Sequence, residues 1–441
     1  MKSAPLRKQK SYTSRPWLLA SFGDGRVFEI PELEMTAMTL NQVIRPEPDT
    51  LIPMPPGSAL FELPDRKPIG WDPLKEKNTV VDNYRGRSVC AVATFMAPAY
   101  SQIYRAAYQS AENAPTLPLF AYTAAGWMAG AFHATGVRVD ADIRQDLAQF
   151  DDSRIEQGAQ QMLKKYPNNR LVAHLVEHCV RSYHCPAAQN FVLGRWEAPV
   201  PTSPSCNARC LGCISKQPPQ GVPVTQDRLT FTPTVDEIVA FAVPHLENAA
   251  RAIISFGQGC EGEPLLQGKM LEETIRAIRR RTDKGTINLN TNACYPEVVE
   301  KLCQAGLDSI RVSLNSAQKS LYQAYYSPKD YGFADVLTSM RVIRSHHRWI
   351  SLNYFIFPGL TDHPAEMEPL QRIIQDYRVD YIQMRNLNID PEWYIRELNL
   401  TSLQGSGMGI KRWMQEIKAH ADWIRFGYFN PPKEDFGDSI A

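Results

Sequence analysis

The sequence has almost no excess of charge of either sign and no long uninterrupted hydrophobic run. Lysine and arginine together number 48 against 47 aspartate and glutamate residues, so there is no global positive field that would concentrate nucleic acid. The uncharged stretch from Leu117 to Val137 is nearly long enough to span a membrane, but Pro118, Gly126 and Gly130 interrupt it. We therefore predict a β-hairpin there, and neither a membrane nor a nucleic acid as a partner.

The sequence also lacks the pattern of a secreted, disulfide-bonded protein. The basic residues Lys2, Arg7, Lys8 and Lys10 precede an apolar run at 17–20 that is too short for the core of a signal peptide. The chain has nine cysteines, an odd number. In a long chain without a secretory signal, cysteine is usually a core residue, a metal ligand or a nucleophile in a reducing compartment. We expect a cytoplasmic protein.

The 441 residues favour more than one domain, and the local pattern changes along the chain. Residues 1–140 are rich in proline, glycine and short apolar runs, which predicts a β-rich accessory domain. Residues 141–195 show helical spacing with a break at Pro167, which predicts a helical connector. From residue 196 onwards, short β-type runs alternate with longer amphipathic stretches, the pattern of βα units and a parallel sheet.

Six βα units are predicted in this last part. The expected strands are 196–202, 252–258, 286–292, 309–315, 349–357 and 379–388, and the expected helices are 234–248, 265–281, 295–305, 331–347, 363–377 and 406–421. Such a series favours an α/β fold with a partial (βα)6 TIM-type barrel over residues 196–405, whose ligands bind at the carboxyl ends of the strands. Residues 406–441 would add the last helix, an edge strand at 423–429 and a tail. Trp393 and Tyr394 are expected in a loop over the mouth of the barrel.

Three cysteines follow the first predicted strand with the spacing C-x3-C-x2-C: Cys206, Cys210 and Cys213. This spacing lets one loop surround a metal centre, and soft thiolates select an iron–sulfur cluster or zinc over oxygen-seeking cations. Three ligands leave one iron of a four-iron cluster open for a substrate or cofactor. A structural zinc site needs a fourth ligand, for which Cys260 is a candidate.

This triad and two further strand-end motifs resemble those of the radical SAM superfamily, whose hallmark is C-x3-C-x2-C after the first strand of a partial (βα)6 barrel. Residues 259–264 look like the Gly-Gly-Glu-Pro segment that holds the methionine amino group in that family. The ends of the third and fourth strands match as well. The corresponding residues are Glu261, Gly262, Glu263, Thr291, Asn292, Ser313 and Asn315.

The resemblance implies a [4Fe–4S] cluster on the three cysteines and S-adenosylmethionine on the open iron. Reductive cleavage would then yield a 5′-deoxyadenosyl radical that abstracts hydrogen from a substrate, with flavodoxin or ferredoxin as electron donor. Two positions depart from the family pattern: Gly212 stands where an aromatic residue often packs on the adenine, and Glu261 replaces a glycine. A non-catalytic zinc or iron–sulfur protein, serving structure or electron transfer, is the alternative.

One face of the third to sixth predicted strands is polar, while the other is mainly apolar. Side chains alternate along a strand, so each face is formed by every second residue. Buried polar groups are costly without partners, and the polar face is therefore expected to line a cavity. Its two cations are expected to hold the methionine carboxylate and an anionic group of a small molecule or acidic peptide, unless each pairs with a buried carboxylate. The set comprises Asn288, Asn290, Asn292, Arg311, Ser313, Asn315, Ser351, Asn353, Gln383 and Arg385.

A second group of metal-binding residue types precedes the barrel. His174 and His178 lie four residues apart on one helix face, with Cys179, His184 and Cys185 nearby. The same segment carries an apolar stripe, formed by Leu171, Leu175, Val176 and Cys179. We therefore predict that Cys179 is a core residue and that the histidines are ordinary helix residues.

Overall fold

The computed structural model describes residues 15–219 and 221–437, so the basic residues of the N-terminus and the end of the tail lie outside the described part. The chain divides into two compact units. The first comprises residues up to 96, 102–115 and 122–137, and the second comprises 97–101, 116–121 and the chain from 138 onwards. Among the described residues, no helix has both the length and the apolar character needed to cross a membrane.

The first unit consists of antiparallel strands. The strands up to residue 138 are β1 (Trp17–Ser21), β2 (Val27–Met35), β3 (Ala37–Thr39), β4 (Gln42–Ile44), β5 (Leu51–Pro53), β6 (Ala59–Leu63), β7 (Arg66–Asp72), β8 (Lys77–Val80), β9 (Asn83–Tyr84), β10 (Arg87–Ser88), β11 (Cys90–Phe95), β12 (Tyr100–Gln102), β13 (Arg105–Ala106), β14 (Tyr108–Ser110), β15 (Ala125–Met128) and β16 (Ala131–Arg138). Strand β1 pairs with β2, β11 and β15. Both of its faces are buried, because Leu18 and Ala20 pack into one apolar cluster and Leu19 into another. The predicted hairpin is confirmed as β15 and β16.

Helices follow between residues 152 and 192. They are α1 (Asp152–Lys165), α2 (Arg170–His174), a π-helix (Leu175–Ser182) and α3 (Pro186–Val192). Asp151 and Asn169 cap α1 and α2 through their side chains, which satisfies amides that a helix start leaves unpaired. The predicted apolar stripe is buried, and its Cys179 is only 3% exposed.

The second unit is built on seven parallel strands in chain order. They are β17 (Glu197–Val200), β18 (Ile253–Phe256), β19 (Thr286–Thr291), β20 (Ser309–Leu314), β21 (Trp349–Ile356), β22 (Tyr381–Asn386) and β23 (Arg425–Gly427). The six predicted strands and the edge strand are confirmed. The sheet begins at β17 and ends at β23 without pairing these edges, which makes it a partial barrel.

The helices that follow β17 include all six that were predicted and two that were not. They are α4 (Val235–Asn248), α5 (Gly268–Arg279), α6 (Pro296–Ala305), α7 (Lys319–Tyr326), α8 (Phe333–Ser345), α9 (Pro364–Asp376), α10 (Pro391–Glu397) and α11 (Ile410–His420). The additional helices are α7 and α10. The prediction of a loop at Trp393 and Tyr394 is wrong, because both belong to α10, which Asp390 caps, and Tyr394 is fully buried.

The interior of the barrel is closed near the amino ends of the strands. Trp349 and Tyr381 form an apolar cluster with Phe436, and the rings of Trp349 and Phe436 stack with centroids 4.6 Å apart. Asn430 then spans the interior: its side chain donates to Glu197 Oε1 at 2.7 Å and accepts from Gln383 Nε2 at 2.8 Å. This residue links the first strand to the sixth by hydrogen bonds.

Only the upper part of the predicted polar face, towards the carboxyl ends of the strands, lines a cavity. Asn288 donates to Ser255 Oγ at 3.3 Å and accepts from Ser309 Oγ at 2.8 Å, and Ser351 accepts from the indole of Trp349. These polar groups satisfy one another across neighbouring strands, so they need neither water nor ligand. The expectation of a cavity along the whole face is therefore corrected: the lower residues form a hydrogen-bonded layer, and the cavity begins above it.

Gly257, directly after β18, has a conformation that other residues adopt with difficulty. Its φ is +79°, and an added β-carbon would lie 1.8 Å from the carbonyl oxygen of Asn290. We expect Gly257→Ala to lower the free energy of unfolding by about 3 kcal/mol, because strain and a backbone clash add. Urea unfolding followed by circular dichroism measures this. The control is Gly194→Ala, because Gly194 has a φ of +68° but no atom within 4 Å of the added β-carbon. This variant should lose about 1 kcal/mol of unfolding free energy. Equal losses in the two variants would contradict the steric explanation.

Candidate active site

The three cysteines of the triad lie together at the carboxyl ends of the strands. Cys206, Cys210 and Cys213 line one cavity of about 220 Å³, and all three thiols are free and partly exposed. The backbone of their loop is held from α7, since the amides of Arg209 and Leu211 donate to the carbonyls of Tyr326 and Tyr325 at 2.8 and 3.0 Å. Three soft ligands around one cavity fit an iron–sulfur cluster with an open iron.

Cys260 does not complete this set. Its Sγ lies 3.9 Å from Cys179 Sγ, and the cavity lining that holds the triad does not include it. Cys260 therefore lies beside Cys179, and the lining of the triad's cavity contains three thiols.

The second motif packs directly against the start of the triad loop. The amides of Gly262 and Glu263 donate to the carbonyls of Ser203 and Ser205 at 2.7 and 2.8 Å. A β-carbon on Gly262 would lie 1.9 Å from the Ser205 carbonyl oxygen. Only glycine permits this approach, so the two motifs form one backbone unit.

Glu261, which departs from the family pattern, joins the same two segments. Its carboxylate accepts from the amides of Thr202, Ser203 and Gln258 at 2.7, 2.8 and 2.7 Å. The side chain is only 4% exposed. Burial raises the pKa of its carboxyl group to about 7, although the hydrogen bonds by themselves would lower it. The residue lines the cavity, but its carboxylate is occupied by the protein backbone.

Glu263 brings two more predicted residues to the same place. Its carboxylate accepts from Thr291 Oγ1 at 2.5 Å, from the amide of Asn292 at 2.9 Å and from the amide of Leu265 at 3.0 Å. Asn292 in turn donates to Asn207 in the triad loop at 2.9 Å. Burial raises the pKa of Glu263 to about 7. The ends of β17, β18 and β19 thus meet in one hydrogen-bonded cluster.

The two residues matched to the family pattern at the end of β20 are placed differently. Ser313 lines the cavity. Asn315 instead donates to the carbonyl of Leu321 and to the hydroxyl of Tyr394, at 3.2 and 3.3 Å. It connects α7 and α10 to the barrel.

Arg311 and Arg385 lie side by side, and neither forms an ion pair with a carboxylate in the part of the chain that the structure describes. Arg311 Nη1 and Arg385 Nη2 lie 2.9 and 3.5 Å from the same Oε1 of Gln383, and Arg385 lies over the ring of Tyr428. Burial, and then the charge of Arg385, lower the pKa of Arg311 to about 9. The alternative of two structural ion pairs is not found among the described residues, and Arg311 lines the cavity with a buried Nε that has no partner.

Three further residues at the site were not predicted. Arg228 lines the cavity with Nη2 3.4 Å from Cys213 Sγ, so the barrel arginines are not the only inward cations. Tyr326 also lines it, and its buried hydroxyl has no partner. The hydroxyl of Tyr325 lies 2.9 Å from where a β-carbon on Gly212 would be. Arg228 lies far beyond the end of β17 in the connection to α4, and both tyrosines belong to the unpredicted α7, so the pattern of predicted strand ends did not reveal them.

Part of the chain matches a known protein family. Residues 200–368 match the sequence model of the Radical SAM superfamily. Similar solved structures include a radical SAM methyltransferase from Sphaerobacter thermophilus, with 16% identity and a TM-score of 0.37. The match covers 53% of this chain and 66% of the methyltransferase, which is just under two thirds of its length. The FeFe-hydrogenase maturase HydG from Carboxydothermus hydrogenoformans has 13% identity, a TM-score of 0.37 and coverage of 65% and 73%. SuiB from Streptococcus suis, bound to the precursor peptide SuiA, has 12% identity, a TM-score of 0.39 and coverage of 62% of both chains. No curated protein matches the sequence.

A partial barrel with a thiol-lined cavity at its strand ends, matched by this family over 200–368, defines a radical SAM domain. The chain therefore contains a radical SAM domain over residues 200–368, and the cofactors of this superfamily are a [4Fe–4S] cluster and S-adenosylmethionine. The residues present fit these groups: three thiols face one cavity, and buried polar atoms of Arg311 and Tyr326 in its lining lack partners that a polar ligand would supply.

Proposed function

We propose that Cys206, Cys210 and Cys213 hold the cluster and that the enzyme abstracts hydrogen from a small anionic substrate. The observation that carries the second part is Arg311 in the lining of the triad's cavity with Arg385 next to it, since neither forms an ion pair with a carboxylate of the described residues. When bound at these cysteines, a reduced cluster would supply the electron for reductive cleavage of S-adenosylmethionine.

The protein's own residues would bind and orient the cofactor. The clamp of Glu261 on Thr202 and Ser203 holds the second motif against the triad loop, so the methionine-binding segment and the cluster ligands keep a constant spacing. Glu263 offers a buried carboxylate, which Thr291 and Asn292 orient. A negative group in this position suits the ammonium of the methionine moiety.

Two adjacent arginines without carboxylates favour anionic ligands. Their mutual repulsion is relieved when a carboxylate or phosphate binds between or beside them. The methionine carboxylate would engage one guanidinium and the substrate the other.

The electron donor is proposed to be a flavodoxin or ferredoxin in the cytoplasm. All nine cysteines of the chain are free thiols, which supports a reducing compartment.

Replacing the triad tests the cluster site. We expect the Cys206, Cys210 and Cys213→Ala variant to lose its iron and brown colour after anaerobic reconstitution, since no thiolate ligands remain at the cavity. It should form no 5′-deoxyadenosine from S-adenosylmethionine and dithionite. The control Cys303→Ala removes a buried cysteine of α6 and should retain both. Iron analysis and chromatography give the readouts, and an iron-replete triad variant would refute the assignment.

Arg228 should tune the reduction potential of the cluster. Its guanidinium approaches Cys213 Sγ, and a positive charge with a hydrogen bond to sulfur favours the reduced state. We expect Arg228→Gln to shift the midpoint potential to more negative values in an anaerobic titration followed by electron paramagnetic resonance. Arg228→Lys keeps the charge and should shift it less. An unchanged potential in Arg228→Gln would exclude this role.

The substrate class is tested with a small-metabolite extract separated by anion exchange. The retained fraction should accelerate 5′-deoxyadenosine formation, and the flow-through should not. Arg385→Gln should raise the amount of retained fraction needed for half-maximal stimulation by roughly 10- to 100-fold, because a charge-assisted hydrogen bond contributes about 1.5–3 kcal/mol.

The matched control is Arg372→Gln on α9, whose side chain is 66% exposed and which should behave as wild type. Stimulation by the flow-through alone would disprove an anionic substrate. It would leave the assignment of the cluster ligands untouched.

A further inference from the structure

We propose that His174, Cys179 and Cys260 form a second metal site that binds zinc. Their ligand atoms all lie within 4.8 Å of one another. Cys179 and Cys260 are 3% and 5% exposed, and none of the three residues lines the cavity of the triad. The site is therefore separate from the proposed cluster site.

The distance between the two sulfurs suits two thiolates on one ion. Cys179 Sγ and Cys260 Sγ lie 3.9 Å apart. Two zinc–sulfur bonds of about 2.3 Å at the tetrahedral angle place their sulfurs about 3.8 Å apart, whereas a disulfide bond is about 2.05 Å long. Two sulfurs and one imidazole nitrogen form a donor set that zinc takes readily.

His174 supplies the third ligand and an independent indication. Its Nε2 is buried and has no hydrogen-bond partner. A buried nitrogen in this state is costly unless something binds it. The ring packs against His178, with centroids 4.9 Å apart, and so lies on the helix face predicted from the four-residue spacing.

The local backbone explains why these ligands converge. Cys179 lies in the π-helix, a wide helical turn that is rare and frequent at functional sites. The amide of Cys185 donates to the carbonyl of Cys179 at 2.8 Å, which holds the end of the π-helix, and water would take the fourth position on the metal. Cys260 directly precedes Glu261, and a metal here would tie the connector helices to the turn that carries the second motif.

Binding is balanced by proton release. One Zn²⁺ displaces the protons of the two thiols and takes the lone pair of the neutral imidazole, so two protons leave for each ion bound. No redox partner is needed.

The site is tested in the full-length variant with Cys206, Cys210 and Cys213 replaced by alanine, so that the result does not depend on the proposed function. We expect it to bind one equivalent of Co²⁺ anaerobically, with the thiolate charge-transfer band and visible bands of a tetrahedral site, and Zn²⁺ to displace the Co²⁺. In this background Cys179→Ser and Cys260→Ser should lose the bands, and His174→Gln should weaken binding at least about 10-fold. Cys303→Ala, the buried control, should keep them.

If circular dichroism shows that the serine or glutamine variants do not fold, a second measurement on the triad variant alone tests the site. Zn²⁺ should slow alkylation of Cys179 and Cys260 in the triad variant, read by mass spectrometry, and leave the partly exposed Cys90 unaffected. Absence of cobalt bands in the triad variant, bands that persist in both serine variants, or equal alkylation with and without Zn²⁺ would each overturn the proposal.

Discussion

The buried carboxylate of Glu261 is the interaction on which the site depends most. It accepts hydrogen bonds from backbone amides that follow β17 and from one that follows β18, and Gly262 beside it allows the two segments to touch. A buried carboxylate is tolerated because several donors satisfy it. The triad loop and the second motif are consequently held as one unit before any cofactor binds, which limits the ordering that binding requires.

The barrel interior combines two opposite solutions for buried polar groups. Near the amino ends, Asn430, Gln383, Asn288 and their neighbours satisfy one another and close the barrel. One layer higher, Arg311 and Tyr326 retain unpartnered atoms. Unpaired buried groups are costly, so a scaffold retains them where a ligand completes the set. The boundary between these layers separates the supporting part of the barrel from the binding part.

Much of the fold followed from local patterns. The alternation within strands and the helical spacing between them predicted all six βα units, because parallel strands and covering helices carry strong periodic signals. The short helices α7 and α10 were missed, since seven or eight residues carry little periodicity. Their omission also concealed Tyr325 and Tyr326, which belong to α7.

By itself, the sequence determined the cysteine triad, the motif around Glu263 and the order of the strands, because each depends on residues close in the chain. Tertiary structure alone decided which polar residues pair and which face the cavity, since alternation assigns a side chain to a face but not to a partner. It also decided the place of Cys260. That thiol lies 81 residues from Cys179 along the chain, and only the packing of the π-helix against the turn after β18 brings the two sulfurs together.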